Sequence, residues 1–227
     1  MPRATFSRTA GLAASTSAVL LMAGLVGGCG THEDAQHPAA KGTAAPKAGA
    51  PAAHMLRTDQ LEAALPNQFS IPVELGLEMG GRRGWDNVDA TSCQSEEWLD
   101  DWCVEALAFA SVSYKNFKDQ GLLVRMMSFA DTATAARFYA GKGTVDEVGD
   151  NPPGDESDGY KLDPTADAPD WSTKGISVRQ GSVIAKVEYA WKAGTEVRSG
   201  TLLELTEMVV RRIQQVQAGK LPTASAR

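Results

Sequence analysis

From Met55 onward the apolar positions follow two periods. Leu61 and Leu65 share one face of a short helix opened by Thr58-Asp59-Gln60-Leu61-Glu62 and closed by Pro66; Asp59 reads as its N-cap, with Glu62 three residues on. Ile71, Val73, Leu75, Leu77 and Met79 then alternate with Pro72, Glu74, Gly76 and Glu78, which predicts an extended strand, and Gly80-Gly81-Arg82-Arg83-Gly84 predicts a turn. Ala106–Lys115 and Leu122–Phe129 are strand-forming runs separated by Gln120-Gly121. Asp131 is placed to cap a helix that turns Ala135, Phe138 and Tyr139 inward and stops at Gly141 and Gly143.

A long loop is predicted from Val145 to about Trp171. Period two returns at Ile176 and Val178, and after the Gln180-Gly181 turn at Val183, Ala185, Val187, Tyr189 and Trp191. The longest helix covers about Thr201 to Ala218, where Leu202, Leu205, Val209, Ile213 and Val216 recur at steps of three and four. The economical arrangement is a single α+β domain, residues 55–227: an antiparallel sheet of four or five strands with helices packed on one face.

The N-terminal region follows a different plan. Arg3 and Arg8 are the only charges before Glu33, and Ala10–Val26 is continuously apolar or small. A positive segment followed by an apolar one is the layout of a secretory signal peptide, residues 1–28. Leu25-Val26-Gly27-Gly28-Cys29 resembles the bacterial lipobox. The resemblance implies diacylglycerol attachment to the Cys29 thiol and cleavage before it, which anchors the chain to a membrane on its extracytoplasmic side.

Residues 29–54 carry that cysteine and a tether. Gly30–Ala53 lacks leucine, isoleucine, valine and every aromatic residue, so it has nothing to bury, and at ~3 Å per residue it reaches ~70 Å when extended. All three histidines, His32, His37 and His54, lie in or beside this tether. A domain without histidine has no Ser-His-Asp or Cys-His catalysis and no HExxH zinc site. Neither Gly-x-Ser-x-Gly nor Ser-x-x-Lys occurs in it. Gly141-Lys142-Gly143-Thr144 has Ala136 where a phosphate loop needs glycine and ends a helix instead of opening one. No catalytic, cofactor or metal residues are therefore assigned.

Charge narrows the partners. The full chain has 28 acids against 22 bases, which argues against nucleic acid. Asp146–Asp170 holds nine acids and one base, Lys161, and its spacing does not match a calcium loop. Crowded like charge without apolar periodicity predicts a mobile, solvated loop. Arg82 and Arg83 within a glycine turn read as a solvated pair or an anion nest.

Two cysteines remain, Cys93 and Cys103. An even pair in an exported domain reads as a disulfide. Ten residues of straight helix would hold the two about 15 Å apart, whereas a disulfide needs Cα atoms within about 7 Å. The bond thus requires a short helix with Cys93 folded back over it; two free thiols are the other reading.

Several features together resemble the PknH-like extracytoplasmic sensor-domain family of actinobacterial lipoproteins. They are the lipobox, the Ala/Pro tether, Val124-Arg125-Met126-Met127-Ser128-Phe129-Ala130-Asp131 leading into an Ala-rich helix, and Val178-Arg179-Gln180-Gly181-Ser182-Val183-Ile184 before a strand and final helix. The resemblance spans about Ala106–Ala218 and implies an extracytoplasmic binding or sensor-like module without catalysis, its partner an envelope protein or a small apolar ligand. Two rivals make different demands. A carrier or chaperone for an apolar ligand needs a cavity, with Phe109, Met127, Tyr189 and Trp191 as candidate lining. A carboxylate-based cell-envelope hydrolase needs two acids facing one another across a groove.

Overall fold

The computed structural model describes residues 55–86, 105–116, 118–139 and 151–226, all within one unit, Lys47–Arg227. Cys29, Cys93 and Cys103, the signal sequence and the whole tether, residues 29–54, lie outside the described residues.

Six antiparallel strands form one sheet: β1 (Leu77–Asp86), β2 (Ala108–Lys115), β3 (Gln120–Ser128), β4 (Glu156–Leu162), β5 (Trp171–Gln180) and β6 (Val183–Lys192). Their spatial order is β1-β2-β3-β6-β5-β4, so β1 and β4 are the edges. Among the described residues there are three α-helices, α1 (Thr58–Ala64), α2 (Thr132–Phe138) and α3 (Thr201–Gln217). This is the α+β fold expected from the periodicity, with six strands instead of four or five and with α2 packed on the sheet face opposite α1 and α3 instead of all helices on one face.

Strand alternation sorts the core into two clusters. Ala110, Val112, Val124, Met126, Ile176, Val178, Ala185, Val187 and Tyr189 point to one face, where they pack against Leu61 and Leu65 of the α1 region and Leu205, Val209 and Ile213 of α3. The α3 stripe expected from its spacing is buried throughout. Phe109, Met127 and Ile184 point to the other face and meet Ala135 and Tyr139 of the α2 segment. Asp131 caps α2 by accepting from the Thr134 N–H at 2.7 Å.

Three local expectations change. At the start of α1, Arg57 is the N-cap and Gln60 Oε1 accepts from the Arg57 N–H at 3.0 Å, while Asp59 is drawn to the Arg57 guanidinium. The alternating stretch Ile71–Met79 is not one strand. Pro72 cannot donate to a ladder, Val73–Leu75 coils into a 3-10 turn, and Gly76 breaks away at φ 80°. Gly80–Gly84 is not a free turn either. It lies inside β1, where Met79 pairs with Ser113 and Arg83 with Ser111, so the chain bulges between them through Gly80 and Gly81, both at positive φ.

The acidic segment is the largest correction. Within the stretch expected to be loop, Glu156–Leu162 forms β4 and pairs in register with Arg179–Thr173 of β5. Charge counted inside the segment leaves out the counter-charge supplied from outside it. Arg179, 7% exposed, holds Asp155 at 3.0 Å and Glu156 at 2.7 Å, and Lys192 holds Asp170 at 3.2 Å. Asp155 also accepts from the Gly181 N–H at 2.7 Å. Tyr160 lies over Gly175, where a Cβ would meet its ring at 2.2 Å, and donates to Glu188 at 2.9 Å.

Candidate functional site

A cleft opens beside the first core cluster, between the loop Gln68–Leu77 and the chain leading into α3. It holds about 820 Å³, within the usual range for small-molecule sites of roughly 300–1,000 Å³. Ile71 and Leu75 are buried beneath it, and Tyr189 of β6 contributes from the sheet. Phe69 (68% exposed), Val73 (85%) and Leu77 (58%) stand at its margin with their apolar surface in solvent. Three such side chains gathered along one cleft form a patch, unlike a scattered surface leucine.

Three anchors hold the loop in this shape. Asn116 Nδ2 donates to the Glu74 carbonyl at 2.8 Å, and the Asn116 side-chain oxygen in turn accepts from the Asp119 and Gln120 N–H groups of the β2–β3 connection. Gly76 presses against that connection so closely that a Cβ would sit 2.6 Å from the Lys115 carbonyl. At the other end the Ser70 carbonyl accepts from the Ala226 N–H at 2.8 Å and from the Ser225 hydroxyl at 3.2 Å. The cleft is therefore built into the fold and does not need a ligand to form.

Its polar groups are unevenly signed. Glu74, Glu196 and Arg198 line it. Arg198 is engaged by Glu204, whereas no ion pair among the described residues holds Glu74 or Glu196. Tyr189 is 3% exposed and stacks on Trp191 with centroids 5.6 Å apart. Burial, followed by the Asp119 and Glu74 carboxylates, pushes its phenol above the ordinary value, so it remains a neutral hydrogen-bonding group. Among the described residues its hydroxyl has no hydrogen-bond partner.

Of the four residues expected to line a cavity, Tyr189 alone does so. Trp191 stacks behind it, and Phe109 and Met127 are packed solid beneath α2 on the opposite face. The loop Gln68–Leu77 is hidden in the sequence because its apolar alternation suggests a strand; Pro72 and Gly76 are the signal against that. Arg82 forms no anion nest. Its guanidinium donates to the Pro66 carbonyl at 2.8 Å and the Glu62 carbonyl at 3.4 Å, at the C-terminal end of α1.

The one buried carboxylate among the described residues, Glu188, lies on the far sheet face with Arg125 at 3.3 Å and the Tyr160 hydroxyl at 2.9 Å. Both partners occupy its carboxylate oxygens, which suits a structural role in tying β3, β4 and β6 together. Among the described residues no three His, Cys, Asp or Glu side chains are grouped to hold a metal ion, and no helix is long and apolar enough to cross a membrane.

The sequence matches no protein-family model and no curated protein. Among solved structures it is similar to the extracellular domain of PknH from Mycobacterium tuberculosis, with 11% identity and a TM-score of 0.45, over 71% of this chain and 98% of that one. The likeness is distant, too low in both measures to transfer any property of that protein to this chain.

Proposed function

We propose that this chain is a tethered extracytoplasmic binding module, anchored through lipidated Cys29 and carrying a small apolar ligand in the cleft between Gln68–Leu77 and the start of α3. The observation that carries the reading is the cleft itself: about 820 Å³, with Phe69, Val73 and Leu77 left exposed along it. Keeping three large apolar side chains in water costs free energy at about 25 cal/mol per Å² of apolar surface, and a bound apolar ligand recovers part of it.

The module binds without catalysing. In support, residues 55–227 contain no histidine, and the buried Glu188 is occupied by Arg125 and Tyr160. Titration with the neutral fluorophore N-phenyl-1-naphthylamine tests the reading. Fluorescence should rise saturably with the wild-type chain, and Val73→Asp should weaken binding about tenfold. An unchanged affinity in Val73→Asp would remove the cleft from consideration.

A further inference from the structure

The charges around the cleft specify more than an apolar guest. We propose that its ligand is a small organic cation, an apolar body bearing a single ammonium group; this rests on the cleft being the binding site. Glu74 and Glu196 line the cleft, and no ion pair among the described residues compensates them. Arg198, the basic residue in the lining, is already engaged by Glu204. An anionic ligand would meet two unpaired carboxylates, while a cation supplies the missing partner.

Tyr189 adds an independent reason. It is 3% exposed, lines the cleft, and its hydroxyl has no hydrogen-bond partner among the described residues. The hydroxyl is not one of the fully buried unpartnered atoms, so it keeps solvent contact and a ligand in the cleft can reach it. The Asp119 and Glu74 carboxylates, whose charge reaches the Tyr189 phenol, set the same negative potential at the floor. Apolar margin, an accessible tyrosine hydroxyl and unpaired acids together describe a receptor for an amphiphilic cation, and neither a fatty acid nor a phosphate ester fits it.

Calorimetric titration of the full chain separates the possibilities, using decyltrimethylammonium and decanesulfonate below their micellar concentrations and decanol below its solubility limit. These probes share one chain length and differ in charge. The cation should bind at least about tenfold more tightly than decanol, and the sulfonate more weakly than either. Added salt should weaken the cation and leave decanol unchanged. The double variant Glu74→Gln, Glu196→Gln should bring the cation down to the affinity of decanol without altering decanol itself; both side chains are exposed, so the fold is not at stake. Equal binding of all three probes, or tightest binding of the sulfonate, would overturn the cation assignment and leave the cleft intact as a site for apolar ligands. Binding of none would overturn both.

Discussion

Arg212 Nε donates to the Ala64 carbonyl at 2.9 Å, joining α3 to the end of α1 across 148 positions of sequence. The same guanidinium donates to Leu65 at 2.9 Å, Ala63 at 3.2 Å, Pro222 at 3.2 Å and Ala224 at 3.3 Å. It is 2% exposed and has no acidic partner among the described residues. What balances its charge is carbonyl oxygen, including the C-terminal carbonyls of α1 that carry the negative end of the helix dipole. The planar fork of five N–H donors suits that task, and a lysine ammonium with three does not. Arg212→Leu should cost at least about 3 kcal/mol of unfolding free energy, because it leaves buried carbonyls without donors. Arg212→Lys should recover part of the loss. Urea denaturation measures both.

Arg179 fastens the edge strand. With Asp155 and Glu156 both on its guanidinium, Arg179→Leu should leave two acids facing each other with no cation. Limited proteolysis should then cut within 151–162, while β5 and β6 stay protected. The wild-type chain should resist cleavage in β4, and cleavage there at the rate of an unfolded peptide would contradict the pairing.

Every tyrosine of the chain is raised above its ordinary value of 10.0: Tyr114 to about 12, and Tyr139, Tyr160 and Tyr189 in the same direction. Burial is the first cause in each, followed by a neighbouring acid: Glu78 for Tyr114, Asp158 for Tyr139, Glu188 for Tyr160 and Asp119 for Tyr189. A phenol raised in the folded state favours the fold while it stays neutral. For Tyr114 that contribution is complete below pH 10 and is lost as pH climbs towards about 12. The native protein should show almost no phenolate absorbance at the pH where free tyrosine is half ionised, and unfolding at that pH should release it. Tyr114→Phe should lose the bond to Pro66, 2.8 Å in the wild type, yet show a flatter decline at alkaline pH.

The anchor is tested by acyl labelling. Radiolabelled palmitate should enter the wild-type chain in an exporting bacterial host and fail to enter Cys29→Ser, which should also retain residues 1–28. Undiminished labelling of the variant would contradict lipidation at Cys29.

How much was legible depended on whether an element is specified by its own residues or by distant ones. Ile176 and Val178, then Val183 to Trp191, alternate cleanly around Gln180-Gly181, and they form the β5–β6 hairpin as read. The α3 stripe is equally self-contained. β4 is different: Glu-Ser-Asp-Gly-Tyr-Lys-Leu has no apolar alternation, and its pairing depends on Arg179, on Gly175 making room for Tyr160, and on Glu188 receiving its hydroxyl. None of those relations has a local signature. Arg212 was invisible for the same reason, a polar residue beside an apolar stripe whose acceptors lie on α1 and the C-terminal segment. At the cleft, Tyr189 was readable as an inward aromatic, but Phe69 and Val73 belong to a loop whose shape is set by Asn116 and Ser70.

The proposed function requires ligand to enter between Gln68–Leu77 and the start of α3. The most direct test is residue-resolved amide shift mapping of the labelled full chain during titration with decanol. Saturating shifts should cluster at Phe69, Val73, Leu77, Tyr189 and Thr201. Shifts centred on Phe109, Met127 and Tyr139 beneath α2, or no saturating shifts at all, would contradict the account.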